Sequence, residues 1–220
     1  MPKTDNRASM PHTSGSASAP PASPTTALPM LCHQDSAGWP SYKRLPHFDY
    51  PGLIQMISFR LADALPASKL RALQLEAEAR KDIRAWERIE GILNTGYGNC
   101  SLQDGRIART VEDTLLRFDS ERYYLLAWVI LPNHVHVLIE SIAGRSLAQL
   151  VHSWKSFTAK VANKTLGRSG DFWQRNYFDR FIRDQRHFDS AVSYIHDNPV
   201  RARLVQRATD WLYSSARFDR

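Results

Sequence analysis

Cysteine is almost missing from this sequence. Cys32 and Cys100 are the only two in 220 residues, too few for a disulfide framework or a thiolate zinc site, and both are read as bystanders. No stretch approaches the ~18 consecutive apolar residues that a membrane-spanning helix needs. Lys3 and Arg7 lead into Ser, Pro and Ala rather than an apolar run, so the pattern of a secretory signal is absent and a cytoplasmic, nucleoid-associated protein is expected. No internal repeat recurs. Glutamate is lacking from Ser146 onward, where thirteen Lys and Arg face seven Asp, so +6 of the net charge of +7 falls in the last third. A charge so placed points to a polyanionic partner, although a solvated basic surface accounts for roughly half of such biases. What is present suits a folded core: 43% of residues are hydrophobic and 10% aromatic, in a length that fits one domain with a tail.

Residues 1–45 are rich in Pro, Ser, Ala and Thr and are read as a disordered tail, because so little apolar area cannot offset the entropy of ordering. A single domain is expected over 46–220. Residues 55–61 (QMISFRL) read as a first strand. A long helix is expected from Pro66 to the Gly96/Gly98 pair, and another over 107–118. Residues 123–131 (YYLLAWVIL) and 134–140 (HVHVLIE), parted by Pro132-Asn133, form an expected antiparallel hairpin. After Ser146 the spacing of Leu147, Leu150, Val151, Trp154, Phe157 and Val161 marks an amphipathic helix. Residues 175–183 read as a fourth strand, and 188–198 as a helix stopped by Pro199. This order predicts an α+β fold of ferredoxin-like kind, an antiparallel sheet with helices packed on it.

Two patterns could carry chemistry. His134 and His136 stand at i and i+2 of a strand, so their imidazoles share one face and could ligate a metal. An isolated pair of this kind is more often an ordinary pair of sheet histidines. Tyr194 and Asn198 stand at i and i+4 of a helix, so a phenol and an amide oxygen could address one point. The amide oxygen is a hard ligand suited to Mg²⁺ or Mn²⁺, yet a packing Tyr with a helix-ending Asn is the commoner arrangement.

The segments AWVILPNHVHVLIE, SLAQLVHSWKSFTAK and FWQRNYFDRFIRDQRHFDSAVSYIHDNPVRARLV, taken together and in this order, resemble the REP-associated tyrosine transposases, a branch of the single-tyrosine HUH transposases. The resemblance runs from about Tyr50 to Trp211. It implies the ferredoxin-like HUH domain, His134 and His136 as metal ligands, Tyr194 as nucleophile and Asn198 as the ligand that completes the site. It also implies Mg²⁺ or Mn²⁺ as cofactor, single-stranded or hairpin DNA as partner, and strand cleavage and transfer through a 5′-phosphotyrosine link.

Tyr177 is the rival nucleophile. It is placed on the fourth strand, and Phe181 rather than a ligand stands four residues on, so Tyr194 is preferred and Tyr177 is grouped with the nucleic-acid contacts. Those are expected from Lys155, Lys160, Lys164, Arg168, Arg175, Arg180 and Arg183, with Phe172 and Trp173 as candidate stacking platforms and Trp154 a third that fits the core better. Two other readings stay open: a catalytically inactive nucleic-acid-binding protein on the same scaffold, and a ribonuclease or toxin-like enzyme that uses His134 or His136 as general base and needs no metal.

Overall fold

The computed structural model describes residues 52–65, 89, 91–142, 144 and 146–219. The expected tail over 1–45 and most of the expected helix from Pro66 lie outside the described residues; Ile89 and residues 91–93, at the end of that helix, are helical. Four strands are present: β1 (Ile54–Arg60), β2 (Tyr123–Ile130), β3 (His134–Ser141) and β4 (Phe178–Phe181). They form one sheet in the order β2-β3-β1-β4, with every neighbouring pair antiparallel. Among them run α1 (Gly105–Leu116), α2 (Leu147–Thr165) and α3 (Gln185–Arg201). With β1 and β4 side by side and β3 next to β1, the chain follows the split βαβ path of a ferredoxin-like sheet, and α3 is added after it.

Local signals set the helix starts. Asp104 accepts from the Arg106 amide at the head of α1. Ser146 and Gln149 form a reciprocal capping box on α2, and Asp184 accepts from the His187 amide on α3. Each satisfies a donor that the first turn leaves without a partner.

Strand alternation then divides the core in two. Ile57, Phe59, Val135, Val137 and Ile139 pack with Ile107, Val111, Leu115, Leu147, Leu150 and Trp154, so one sheet face is covered by α1 and α2. Met56, Val129 and Leu138 pack with Ala191 and Ile195, so the other face is covered by α3. Residues with even numbers on β1 and β3 therefore look toward α3.

Two expectations need correction. The fourth strand is only Phe178–Phe181, because residues 174–177 follow another path: Gln174 donates its amide to the Arg60 carbonyl, and Trp173 bridges to Leu61. Pro199 does not stop α3, which runs on to Arg201. A proline near a helix end removes one amide donor, but residues beyond it can still bond back. Here the Ala202 amide donates to the Asn198 carbonyl and the Leu204 amide to the Pro199 carbonyl.

The C-terminal segment closes the outer edge of β2. Ile130 donates to the Tyr213 carbonyl, Trp211 Nε1 donates to the Ile130 carbonyl, and Trp128 donates its amide to Ser215 Oγ. His196 of α3 fastens this segment: its Nε2 lies 2.8 Å from Ser215 Oγ and its Nδ1 3.1 Å from Asp219 Oδ2. Burial holds His196 below the ordinary imidazole value, outweighing the opposite pull of Asp219 and Asp197. With the folded pKa below the unfolded one, this contribution to stability is complete above about pH 6.5 and is lost as pH falls through the folded value. Thermal melts are expected to show a drop in stability between about pH 7.5 and about pH 5.5 that is smaller in His196→Gln. Equal drops in the two proteins would remove His196 from this account.

Candidate active site

The α3-facing side of the sheet carries both histidines, each buried, with ring centroids 4.9 Å apart in an edge-to-face arrangement. Their neighbours come from two directions. Register places Ser58 of β1 opposite His136, and Ser58 Oγ is 2.6 Å from His136 Nδ1. His134 Nδ1 is 2.7 Å from Oδ1 of Asn133, the residue before it. Both rings are thus engaged through Nδ1, the outer-shell pattern that orients imidazole ligands in metal sites. Arg60 stands opposite His134 in the same register, on the same sheet face.

Helix α3 brings Tyr194 against this pair. Its ring lies edge-to-face with His136 at 5.4 Å between centroids, and the Arg201 guanidinium carbon is 5.3 Å from the centre of the phenol ring. One turn on, Asn198 is fully buried, and neither its side-chain oxygen nor its side-chain nitrogen has a hydrogen-bond partner among the described residues. A buried amide left this way costs about 1–3 kcal/mol. Native structures seldom keep such a group unless something outside the protein satisfies it.

This observation tests the fit of a metal. Two imidazoles and an amide oxygen are chemically suited to a divalent cation of the Mg²⁺ or Mn²⁺ kind. They form a sparse donor set. Among the described residues no group of three or more His, Cys, Asp or Glu could hold a metal ion, so a cation at this face would need the Asn198 oxygen as its third protein donor. A further consequence concerns stability. Asn198→Leu, alike in branching, somewhat larger and without polar atoms, is expected to keep the metal-free protein within about 1 kcal/mol of wild type, because removal of the unsatisfied amide offsets the added bulk. A clear loss of melting temperature in the metal-free variant would show that the amide is satisfied in the native protein.

The two tyrosines fall on opposite sides of the sheet. Tyr177 packs against the core beneath α1 and α2, whereas Tyr194 packs with the cluster that contains Leu138 and Ile195. Its buried hydroxyl sets Tyr177 apart from the surface groups expected to meet nucleic acid. Lys155 is also turned inward: its ammonium donates to the carbonyls of Gln174 at 2.7 Å and Arg175 at 2.8 Å, and burial pulls its pKa down to about 8. Phe172, Trp173 and Trp154 are at most 6% exposed. They are core residues rather than stacking platforms, and Trp173 Nε1 donates to Thr158 Oγ1 within that core.

The remaining basic residues do not form one row. Lys160 and Lys164 are exposed on α2, away from the histidine face. Arg168 is half-buried and donates from Nε to Asn163 Oδ1. Arg175, Arg180 and Arg183 are exposed, and Arg180, opposite Met56, shares the face of the histidine pair. Burial, helped by Arg180 and Arg183 and opposed by Asp184, depresses the pKa of His187 in the first turn of α3.

Sequence reasoning overlooked Ser58, Asn133, Arg60 and Arg201. Alternation along 55–61 put Ser58 and Arg60 on one face, and Asn133 was visible as a turn residue. Only the pairing of β1 with β3 sets the first two beside histidines.

The sheet thus sets paired histidines against a tyrosine of a late helix, the residues that the resemblance to transposases singles out. Residues 103–198 match the family described as Transposase IS200 like, a stretch that includes α1, both histidines and Tyr194 and ends at Asn198. More narrowly, the chain is 29% identical over 93 residues to the REP-associated tyrosine transposase of Escherichia coli strain K12, covering 40% of this chain and 52% of that protein. It is 28% identical over 100 residues to a Haemophilus influenzae protein that carries the same name provisionally, covering 41% of this chain and 57% of that protein. The chain thus spans about half the length of the curated relatives it matches. A solved structure of a REP-associated tyrosine transposase bound to a REP hairpin shares the fold. Its TM-score is 0.52 at 17% identity, over 81% of this chain and 85% of that one. The resemblance read from the motifs, and the α+β fold it implied, are therefore both borne out.

Proposed function

We propose that this protein is a transposase of the REP-associated tyrosine type, an enzyme that cuts and rejoins single-stranded or hairpin DNA through Tyr194. The observation that carries this reading is the contact of the Tyr194 ring with His136, one helical turn from the buried, unpartnered Asn198 amide. In the proposed reaction Tyr194 Oη attacks a backbone phosphorus and the bond to the 3′ oxygen breaks. A 5′-phosphotyrosine link and a 3′-hydroxyl result, with the phenol proton lost to solvent and one proton taken up by the leaving oxygen. The link conserves the energy of the broken ester, so a 3′-hydroxyl can reverse the step on the same or another strand without a nucleotide cofactor. A free phenol has a pKa near 10 and needs activation. A divalent cation held by His134, His136 and Asn198 would supply it by polarising the scissile phosphate and offsetting charge in the transition state.

The chain's own residues do the rest. His136 is fixed by Ser58 and braces the phenol, while the Arg201 cation lies over that ring. Arg180, on this face of the sheet, and Arg183, just before α3, would contact phosphates on this side, with Lys160, Lys164, Arg168 and Arg175 serving DNA that extends round the domain. The hairpin as partner is supported by the neighbouring structure, whose protein is bound to one. Among the described residues no helix is long and apolar enough to cross a membrane, in keeping with a nucleoid-associated, cytoplasmic role.

Labelled single-stranded DNA carrying a hairpin, incubated with the protein and Mn²⁺ and run on a denaturing gel, is expected to yield a slow-migrating covalent adduct and a shortened strand with a 3′-hydroxyl. Hairpin binding without an adduct would leave an inactive binding protein in its place. Cleavage without metal or adduct would favour a histidine-based nuclease.

A further inference from the structure

Asn133 occupies the turn between β2 and β3, a position that is ordinarily at the surface. Here it is 1% exposed. Its side chain uses all of its hydrogen-bonding groups: Nδ2 donates to the Leu93 carbonyl at 3.1 Å and the Tyr97 carbonyl at 3.0 Å, while Oδ1 lies 2.7 Å from His134 Nδ1. Its backbone carbonyl accepts from the Leu61 amide. These contacts settle two questions of hydrogen placement. Both partners of Nδ2 are carbonyl oxygens, which only accept, so the amide nitrogen must face them and the amide oxygen must face the histidine. An amide oxygen also only accepts, so His134 Nδ1 carries a proton and donates it. In the neutral ring the other nitrogen, Nε2, then holds the lone pair.

The loop that fixes this amide is itself constrained. Gly98 has φ +90°, and a Cβ there would sit 2.6 Å from the Asp63 carbonyl oxygen; the next amide, of Asn99, donates to Asp63 Oδ2. Backbone that cannot relax thus holds the Tyr97 carbonyl in place.

We propose that Asn133 is the positioning residue that sets the tautomer of His134, presenting the Nε2 lone pair for metal ligation and tying that ligand to the loop over 93–99. The inference rests on the metal-site reading for its purpose, though the tautomer itself can be read without metal. Asn133 acts through His134 and touches no reacting atom.

The test uses the full chain with ¹⁵N-labelled histidine, the His134 signals being assigned by comparison with His134→Gln. In the metal-free wild type, His134 is expected in the Nδ1-protonated form; finding Nε2 protonated instead overturns the proposal. Asn133→Ala removes the acceptor and is expected to give a mixture of tautomers, with Mn²⁺ affinity measured by electron paramagnetic resonance lowered by about 10-fold or more. Asn133→Asp keeps an acceptor for Nδ1 but no longer donates to the Leu93 and Tyr97 carbonyls. It is expected to melt at a lower temperature yet retain the wild-type tautomer and close to wild-type Mn²⁺ affinity. An unchanged tautomer in Asn133→Ala, or a scrambled one in Asn133→Asp, overturns the proposal, and the Asp variant decides alone should the Ala variant not fold. Absence of Mn²⁺ binding by the wild type would defeat the metal-site reading instead, leaving the tautomer to be judged from the nitrogen spectrum.

Discussion

Tyr194→Phe is expected to abolish the covalent DNA adduct, with strand cleavage falling by at least about 10,000-fold, as when a nucleophile is removed from other enzymes. The substitution deletes one oxygen from a half-buried ring, so the edge-to-face contact with His136 and the packing of α3 survive. DNA affinity is expected to stay close to wild type because the basic residues are untouched. Tyr177→Phe provides the contrast. Its ring belongs to the core on the other side of the sheet, so adduct formation is expected to continue and the effect to fall on stability. Adduct formation by Tyr194→Phe, or its loss in Tyr177→Phe alone, would require the site to be rebuilt around β4.

His136→Ala is expected to reduce nicking by about 100-fold or more while hairpin binding persists. The side chain it removes is fully buried between Ser58 and Tyr194. Two losses then coincide: the proposed metal donor disappears, and the phenol loses the ring packed edge-to-face against it. A stability cost of about 1–3 kcal/mol should accompany them, since Ser58 Oγ is left without this partner. Binding and cleavage are read separately, by gel shift without metal and by strand scission with Mn²⁺. Unimpaired nicking in a folded His136→Ala protein would remove this histidine from the metal site, whatever its place in the sheet. Loss of hairpin binding together with nicking would mean that the histidine face is where DNA is held.

The corrections have a common physical origin. Lys155 looks like a surface cation from its place on an amphipathic helix. It turns inward because the chain over 174–175 crosses its path and offers two carbonyls. Phe172 and Trp173 look like exposed aromatics in a polar, basic stretch. They are buried because that stretch folds back onto β1 through Leu61 and Ala62. Pro199 looks like a helix stop on its own, although the hydrogen bonds that carry the chain past it run to the Asn198 and Pro199 carbonyls and need no amide from the proline. In each case the deciding partner is distant in sequence or supplied by backbone groups that every residue shares.

Much was nonetheless determined by sequence alone, wherever the physics is local. A period of two puts His134 and His136 on one face, and a period of 3.6 aligns Tyr194 with Asn198. Ser146 and Gln149 mark a helix start with their own side chains. Pro132-Asn133 joins two apolar runs into a hairpin. Only the tertiary structure could decide that the histidine face and the tyrosine face meet, because that depends on which side of the sheet α3 covers. The same choice separates Tyr194 from Tyr177, which share a composition and a neighbourhood of arginines in the linear chain. Strand register, set by the burial of both sheet faces at once, placed Ser58 opposite His136. Closure of the loop over 93–99 onto the hairpin turned Asn133 from a turn residue into a partner of His134, a contact no spacing rule could supply because its other partners lie some forty residues away.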